Sequence, residues 1–183
     1  MHYLRHLAVS CLTLGLLVSC SVKTIAHPLT KTKPYKIRGR WYCPQKHYEY
    51  QAVGYASWYG PGFHGKKNAC GYRFNQHFVC AAHRTLPIPC IVRVTNIKNG
   101  RSIKVLVVDR GPFVDPHIRI IDLSKAAAHR LGIHDHGIGY VYVTSLPRES
   151  KVFAEYVERY QSHYKSRRLS LDSIYKRHFC RSA

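Results

Sequence analysis

The middle of the chain is a series of short apolar segments separated by turns. Residues 53–59 and Cys90–Asn96 alternate apolar and polar positions, as half-buried β-strands do. Residues 103–108 are rich in β-branched side chains, and residues 140–145 are a further strand-like segment. Asn99-Gly100 separates two of these segments and is a strong hairpin signal. The pattern predicts a compact, mostly β domain.

Two regions have a helical pattern. Residues 124–131 contain an Ala-rich run that Asp122 or Ser124 could cap and that Gly132 would end. After residue 146, aromatic and aliphatic side chains recur at helical spacing, at positions 153, 156, 157, 160 and 164. We expect residues 147–183 to be a basic tail with a helix that packs on the β domain. A surface or wall-binding arm is the alternative.

The N-terminus has the pattern of an export signal. Arg5 precedes an apolar stretch at residues 7–18, which is too short to span a membrane, and LVSC at 17–20 resembles a bacterial lipobox. We expect residues 1–20 to be a lipoprotein signal peptide, with Cys20 lipidated as the mature N-terminus. More than one acyl chain on Cys20 would anchor the protein stably. A simple cleaved signal with a chance cysteine is the alternative.

Charge divides the rest of the chain into three basic zones. The formal net charge is +20, spread over a linker at 21–51, a core at 52–146 and the tail at 147–183. Such a charge favours an anionic partner, and envelope polymers or lipid head groups fit an exported lipoprotein. Nucleic acid is not expected, because the charge forms no single stripe and no nucleic-acid motif is present.

The cysteines and histidines narrow the chemistry further. An exported protein can form disulfides, and a Cys70–Cys80 pair is favoured because both residues flank one short loop. The histidines form no H-E-x-x-H motif, and no cysteine pair has zinc-finger spacing. The sequence therefore predicts neither a metal nor a cofactor.

Several motifs lie in one register between residues 53 and 146. They are GYASWYG at 54–60, FHG at 63–65, AAHRTLP at 81–87, VRVTN at 92–96, NGRS at 99–102, DRGPF at 109–113, RIIDLS at 119–124, AAA at 126–128 and LG at 131–132. This arrangement resembles the rare lipoprotein A family of septal-ring lytic transglycosylases. The resemblance implies a six-stranded double-psi β-barrel over residues 52–146 with one or two short helices.

The family's reaction implies a single essential acid. A lytic transglycosylase protonates the glycosidic oxygen, and the muramic C6 hydroxyl then attacks C1 to give a 1,6-anhydro end. No water is activated, so one carboxylate can suffice. The core contains four acids, and Asp109 matches the family's catalytic residue at the end of an apolar run. A structural Asp that pairs with Arg110 or caps a turn is the alternative.

The resemblance also implies residues around Asp109. His83 matches an active-site histidine, for which a buried hydrogen-bonding role is the alternative. Tyr59, His64, Arg84 and Arg110 are expected to bind the glycan or its carboxylates, as is Tyr72. The aromatic residues Trp58, Phe63 and Phe113 are candidate platforms for sugar rings or parts of the core, and Asp122 is expected to cap the helix.

One position departs from the family. Eleven residues before His83 the family has a Glu, but here the turn reads NACGY at 68–72, with Tyr72 in that place. A tyrosine cannot serve as a carboxylate, although its hydroxyl can bind a sugar. Either Asp109 suffices for lysis, or the chain is a non-catalytic peptidoglycan-binding lipoprotein.

The expected partners follow from these assignments. They are peptidoglycan glycan strands, a membrane reached through Cys20, anionic envelope polymers and division proteins. The expected location is the bacterial envelope, at a membrane that faces the periplasm, with the outer membrane favoured.

Overall fold

The computed structural model describes residues 31–45, 47–159 and 170–179. Cys20 and the whole signal region therefore lie outside the described residues, as do positions 160 and 164 of the tail. The described ranges contain eight strands and three α-helices. The strands are β1 Tyr35–Ile37, β2 Arg40–Tyr42, β3 Gln51–Trp58, β4 Cys80–Ala82, β5 Cys90–Asn96, β6 Ser102–Asp109, β7 Arg119–Leu123 and β8 Ile138–Ser145; the helices are α1 Lys125–Leu131, α2 Pro147–Arg159 and α3 Leu171–Phe179.

Six strands close into a barrel in the order β3-β7-β4-β6-β5-β8. The pairs β3–β7 and β4–β6 are parallel, and the other four pairs are antiparallel. The predicted six-stranded barrel is therefore confirmed. The apolar pattern located β3, β5, β6 and β8, as well as the Asn99-Gly100 hairpin. It missed β4 and β7, which have only three and five residues and show no clear period.

The barrel interior is filled by aliphatic side chains from alternate strand positions. Eight of them are fully buried: Val92, Val94, Val105, Val107, Ile121, Leu123, Val141 and Val143. Each contributes about 1.5–3 kcal/mol relative to an exposed side chain. The strands therefore form a packed core, not a pore, and the functional groups lie at its ends and outside.

Helix α1 closes one end of the barrel. The Ser124 hydroxyl accepts a hydrogen bond from Ala127 N at 3.2 Å, and Gly132 ends the helix in the left-handed region at φ 70°. Asp122 does not cap this helix, contrary to the sequence prediction. Its carboxylate instead accepts hydrogen bonds from Ser57 and Arg119, because Asp122 lies inside strand β7 with its side chain turned toward β3.

Helices α2 and α3 cover the outer side of strands β4, β5 and β6. We call the buried residues there the outer cluster: Phe74, Phe78, Cys80, Ile91, Leu106, Val108, Phe153, Val157, Leu171, Ile174 and Tyr175. The Ser150 hydroxyl accepts a hydrogen bond from Ile91 N at 2.9 Å and thereby fixes α2 on β5. The prediction of a helical tail packed on the domain is confirmed, with two described helices in place of one.

Part of the predicted linker is structured. Strands β1 and β2 form a hairpin, in which Tyr35 and Tyr42 stack at 5.3 Å and both contact the Phe113 ring. The Tyr35 hydroxyl donates to the Arg84 carbonyl at 2.8 Å. Residues 31–42 are therefore packed against the barrel and are not a free tether. No helix among the described residues is long and apolar enough to cross a membrane.

Candidate active site at the end of strand β6

Asp109 is the last residue of β6 and is half-buried. Its Oδ1 accepts hydrogen bonds from the backbone amides of Ala69 and Arg110, each at 2.8 Å. Its Oδ2 accepts one from the Tyr59 hydroxyl at 3.0 Å. A carboxylate oxygen has two acceptor positions, so these described contacts fill Oδ1 and leave one position on Oδ2. Proton exchange with a ligand is therefore directed to Oδ2.

Tyr59 positions this carboxylate. Burial, and then the negative charge of Asp109, raise the pKa of Tyr59 far above its usual value. The phenol is therefore protonated at neutral pH and donates its hydrogen bond to Asp109. Its ring also contacts the exposed Phe63 at 5.1 Å and the buried Phe74 at 4.6 Å. Tyr59 thus links Asp109 to an exposed aromatic side chain.

His83 is buried behind the site, with 3% of its surface exposed. Its Nδ1 accepts hydrogen bonds from the amides of Thr85 at 3.2 Å and Leu86 at 3.0 Å. Its backbone amide donates to the Asp109 carbonyl at 3.0 Å. Burial, followed by the charges of Arg84 and Arg110, lowers the pKa of His83 to about 3. The ring is therefore neutral, and its contacts are those of the buried hydrogen-bonding alternative.

Arg84 and Arg110 are used inside the fold. The Arg84 guanidinium donates to the carbonyls of Pro112 at 3.1 Å and Arg119 at 2.6 Å. The Arg110 guanidinium donates to the carbonyls of Leu86 and Lys31, both at 2.5 Å. These contacts hold the β4–β5 turn and the N-terminal segment together. These bonds use Nη1 of Arg84 and the two Nη atoms of Arg110, so each guanidinium keeps N–H donors that the described bonds do not use.

The loop at residues 61–79 brings Tyr72 and His64 to the same end of the barrel. Tyr72 N donates to Asn68 Oδ1 at 3.0 Å, and its half-buried ring packs against the outer cluster. A cavity beside it is also lined by Asp172 of α3, which accepts from Asn75 Nδ2 at 3.5 Å. His64 is exposed, and its Nδ1 accepts from Gln76 N at 3.3 Å. The loop is therefore held by both the barrel and the tail.

A second carboxylate, that of Asp122, lies near Asp109. The sequence predicts Asp122 at the cap of helix α1 instead. Strand β4 separates the two acids, since Ala82 pairs with Asp109 on one side and with Asp122 on the other. Strand spacing puts their Cα atoms roughly 10 Å apart. Ser57 and Arg119 both bind the Asp122 carboxylate, and its Oδ2 would lie 3.3 Å from a Cβ at position 111. Gly111 therefore leaves room for this carboxylate, and the sequence alone does not indicate that contact.

The predicted Cys70–Cys80 disulfide is not present. Both residues are unbonded thiols, and burial raises the pKa of each to about 12. Cys80 belongs to the outer cluster, and Cys70 packs against the same cluster while its amide donates to the Val108 carbonyl at 3.2 Å. The two residues flank one loop, but their sulfur atoms are not bonded to each other.

One group of side chains has the composition of a metal site. Ligand atoms of His129, His134 and Asp135 lie within 4.8 Å of one another. The two imidazole rings, however, are stacked at 3.7 Å with an interplanar angle of 17°, and His134 Nδ1 already pairs with Asp135 at 2.9 Å. Ring nitrogens bind metals in the ring plane, so stacked rings do not converge on one ion without rotation.

The topology and the held carboxylate define the class of domain. A closed six-stranded barrel with two parallel pairs, β3–β7 and β4–β6, is a double-psi β-barrel. The family model described as "Lytic transglycolase" matches residues 51–143, which include every barrel strand up to most of β8. The chain belongs to the rare lipoprotein A (RlpA) family.

Curated relatives are similar over the same region. The chain is 48% identical over 124 residues to a Rickettsia felis protein named "Endolytic peptidoglycan transglycosylase RlpA", covering 66% of this chain and 54% of that protein. It is 47% identical over 125 residues to the protein of the same name from Neisseria meningitidis serogroup A, covering 67% and 52%. The chain therefore spans about half the length of these relatives. Among solved structures, a Streptomyces papain inhibitor aligns with a TM-score of 0.40 at 27% identity, over 52% of this chain and 94% of that one.

Proposed function

We propose that this protein cleaves the glycan strands of peptidoglycan as an endolytic lytic transglycosylase, with Asp109 as general acid and base. The observation that supports this most directly is the Asp109 carboxylate. Three donors fix its orientation, and one acceptor position remains on Oδ2. The relatives named endolytic peptidoglycan transglycosylase share the region that contains it.

The reaction can be written with this one carboxyl group. Protonated Oδ2 gives its proton to the glycosidic oxygen, and the bond from C1 of the muramic sugar to that oxygen breaks. The C6 hydroxyl of the same sugar forms a new bond to C1 and loses its proton to Oδ2. Asp109 returns to its starting state, and the products are a free 4-hydroxyl end and a 1,6-anhydro end. No water enters, so a second carboxylate for water activation is not required.

The surrounding residues act by position. Tyr59 and the Ala69 amide keep the carboxyl group oriented, and His83 holds the strand behind it through backbone contacts. Phe63, which is exposed and lies against Tyr59, offers an apolar face for a sugar ring. Tyr72 can contribute a hydroxyl to the glycan from the loop at residues 61–79, but it supplies no second acid.

Cleavage is tested on purified glycan strands with mass spectrometry for 1,6-anhydro-muramic ends. Asp109→Asn keeps the size of the side chain but removes the proton donor, and we expect the rate to fall by at least about 100-fold. The matched control is Asp115→Asn, the same change at an exposed acid in a loop outside the site, which should leave the rate unchanged. Equal activity of Asp109→Asn and the native chain would refute the role of Asp109.

Tyr72→Glu separates lysis from binding alone. A native chain that sediments with glycan but releases no anhydro ends would be a binding protein that has lost the reaction. In that case, activity gained by Tyr72→Glu would assign the loss to position 72. A native chain that is already active would show that Asp109 works with a tyrosine in this place.

We also propose that a lipidated Cys20 anchors the protein at the cell envelope. The basis is the LVSC pattern at residues 17–20 alone. Cells fed labelled palmitate should label the native chain, and Cys20→Ser should lose both the label and the membrane fraction. A Cys20→Ser chain that stays with the membrane would contradict this anchor.

A further inference from the structure

A second surface of the barrel is apolar, exposed and remote from Asp109. Strands β3 and β8 pair along their length, and their outward positions include Val53, Tyr55, Ile138 and Tyr140. These four side chains are between 38% and 52% exposed. We call them the outer tyrosine face. Helices α2 and α3 pack elsewhere, on the outer cluster, and in the described part of the chain nothing covers this face.

The register between β3 and β8 fixes the positions of the side chains on this face. Tyr55 lies directly opposite Tyr140, and their rings are 5.2 Å apart at an angle of 54°. Ile138 lies opposite Ser57, and Val53 lies opposite Tyr142. The pleat turns these side chains outward together, so they form a rigid surface whose shape is set before any ligand binds. A contiguous group of exposed apolar side chains can serve as a binding surface.

A cavity of about 420 Å³ adjoins the two tyrosines. Its lining includes Tyr55, Ile138 and Tyr140 together with the polar residues Lys98, Asn99 and His136. Among the described residues that line it, Lys98 is the one lysine or arginine, and there is no Asp or Glu. A ligand that fills this cavity therefore meets two aromatic rings and one lysine ammonium group.

This cavity and Asp109 lie at opposite ends of the same strand. Lys98 and Asn99 belong to the hairpin that precedes Ser102, and Asp109 ends β6. Seven strand steps separate Ser102 from Asp109, which corresponds to roughly 20 Å. The two sites are thus far enough apart to contact different parts of one polymer.

We propose that the outer tyrosine face and its cavity bind an acidic glycan, a second stretch of peptidoglycan strand outside the cleavage site. The Tyr55 and Tyr140 rings would pack against the apolar faces of pyranose rings, and Lys98 would pair with lactyl or stem-peptide carboxylates. The identity of the glycan rests on the proposed function, but the site does not use Asp109. The charge of Lys98, next to the two aromatic rings and with no acid among the described lining residues, decides the choice of occupant, because it complements an anionic sugar polymer.

The test measures binding residue by residue. Full-length Asp109→Asn protein, which should not cleave the ligand, is titrated with soluble muramic oligosaccharides while amide NMR shifts are followed. We expect the amides of residues 53–55, 98–99 and 138–140 to shift together with those near Tyr59 and Ala69. Saturating glycan that shifts only the amides near Tyr59 and Ala69 would overturn the proposal.

Two sets of variants make the result specific. Tyr55→Ala/Tyr140→Ala should weaken binding at the outer tyrosine face by about tenfold or more and leave the shifts near Ala69 intact. The matched control is Trp41→Ala, which removes a 64% exposed aromatic ring from β2. Lys98→Gln, which leaves both rings in place, should weaken binding of native glycan but not of glycan with amidated carboxylates. Equal binding of both ligands by Lys98→Gln and the parent chain would overturn the ionic contact.

Other occupants give distinct outcomes, and each would overturn the proposal. If lipid vesicles, but not glycan, bind in a way that depends on Tyr55 and Tyr140, the face docks on a membrane. If sedimentation shows a dimer that the double variant abolishes, the face binds a second copy. Glycan bound at this face by a native chain that produces no anhydro ends would support this inference and reject the proposed lysis.

Discussion

At the scale of single residues, backbone groups surround the candidate chemistry. Asp109 is held by the amides of Ala69 and Arg110, and His83 Nδ1 is held by the amides of Thr85 and Leu86. The resemblance to the family identifies Asp109, which also ends an apolar run. The sequence could not identify the bond to Ala69, which lies 40 positions away in an irregular loop.

The sequence is equally unable to show which groups Arg84 and Arg110 contact. Their type and place favoured binding of substrate carboxylates, and their long, planar donor groups are suited to that. The same donors also satisfy turn carbonyls, and the fold uses Arg84 and Arg110 in this way. Only the three-dimensional path of the β4–β5 turn and the N-terminal segment distinguishes the two uses.

His83 leads to a prediction about stability and pH. Its pKa is about 3 in the folded chain and about 6.5 when unfolded, so between these values the unfolded chain binds the extra proton. The free energy of unfolding therefore falls as pH decreases through this window, and His83 should account for about 2 kcal/mol of the loss between pH 7 and pH 5.

The comparison is with His83→Asn, measured by urea unfolding at both pH values. Asn Oδ1 can accept from the amides of Thr85 and Leu86 in place of Nδ1, but it does not titrate. The variant should lose about 2 kcal/mol less than the native chain on acidification. Parallel losses in the two proteins would show that His83 is not the group responsible.

At the scale of elements, the sequence predicts regular segments well and short ones poorly. Strands β3, β5, β6 and β8 have seven or eight residues and a visible period, and α1 has an Ala-rich run between clear ends. Strands β4 and β7 have only three and five residues, too few to show an alternating period. Their parallel pairing with β6 and β3 depends on distant partners, so only the family resemblance supplied those two strands.

Helix α2 gives a prediction for the outer cluster. Phe153 is fully buried against strand β5, and its truncation leaves a cavity that the neighbouring residues fill only in part. Phe153→Ala should therefore lower the free energy of unfolding by about 3–5 kcal/mol in a urea titration.

The control lies one residue away on the same helix. Val152 is 51% exposed, so Val152→Ala should change the free energy of unfolding by no more than about 0.5 kcal/mol. A similar, small effect of both substitutions would mean that α2 contributes little to the fold.

At the scale of the whole molecule, positive charge is distributed over all three zones of the sequence. The net charge of +20 attracts anionic polymers without fixing where they bind. Under the proposed function, specific contacts with glycan come from local groups, and we assign them to Asp109 and the outer tyrosine face. The charge adds a long-range attraction that salt screens, with a Debye length that falls from about 10 Å at 0.1 M to about 3 Å at 1 M.

The salt dependence of retention on peptidoglycan should separate the long-range attraction from the specific contacts. We expect sedimentation of the native chain with whole sacculi to decrease as salt rises from 0.05 to 0.5 M, while sacculi with amidated carboxylates show a much weaker dependence. A salt response that is the same for both materials would assign the attraction to something other than wall carboxylates.

The outer cluster is completed by residues of α2 and α3, which are synthesised after all the barrel strands. Residues emerge from the N-terminus onward, so all barrel strands exist before Phe153, Leu171 and Tyr175 are made. Until those residues dock, Ile91 and Leu106 face solvent, and the loop that supplies the Ala69 amide to Asp109 lacks one of its supports. A chain in which α2 and α3 have not docked therefore exposes part of the outer cluster, against which Tyr59 and Tyr72 pack. The order of the candidate site around Asp109 is thus coupled to the docking of these two helices.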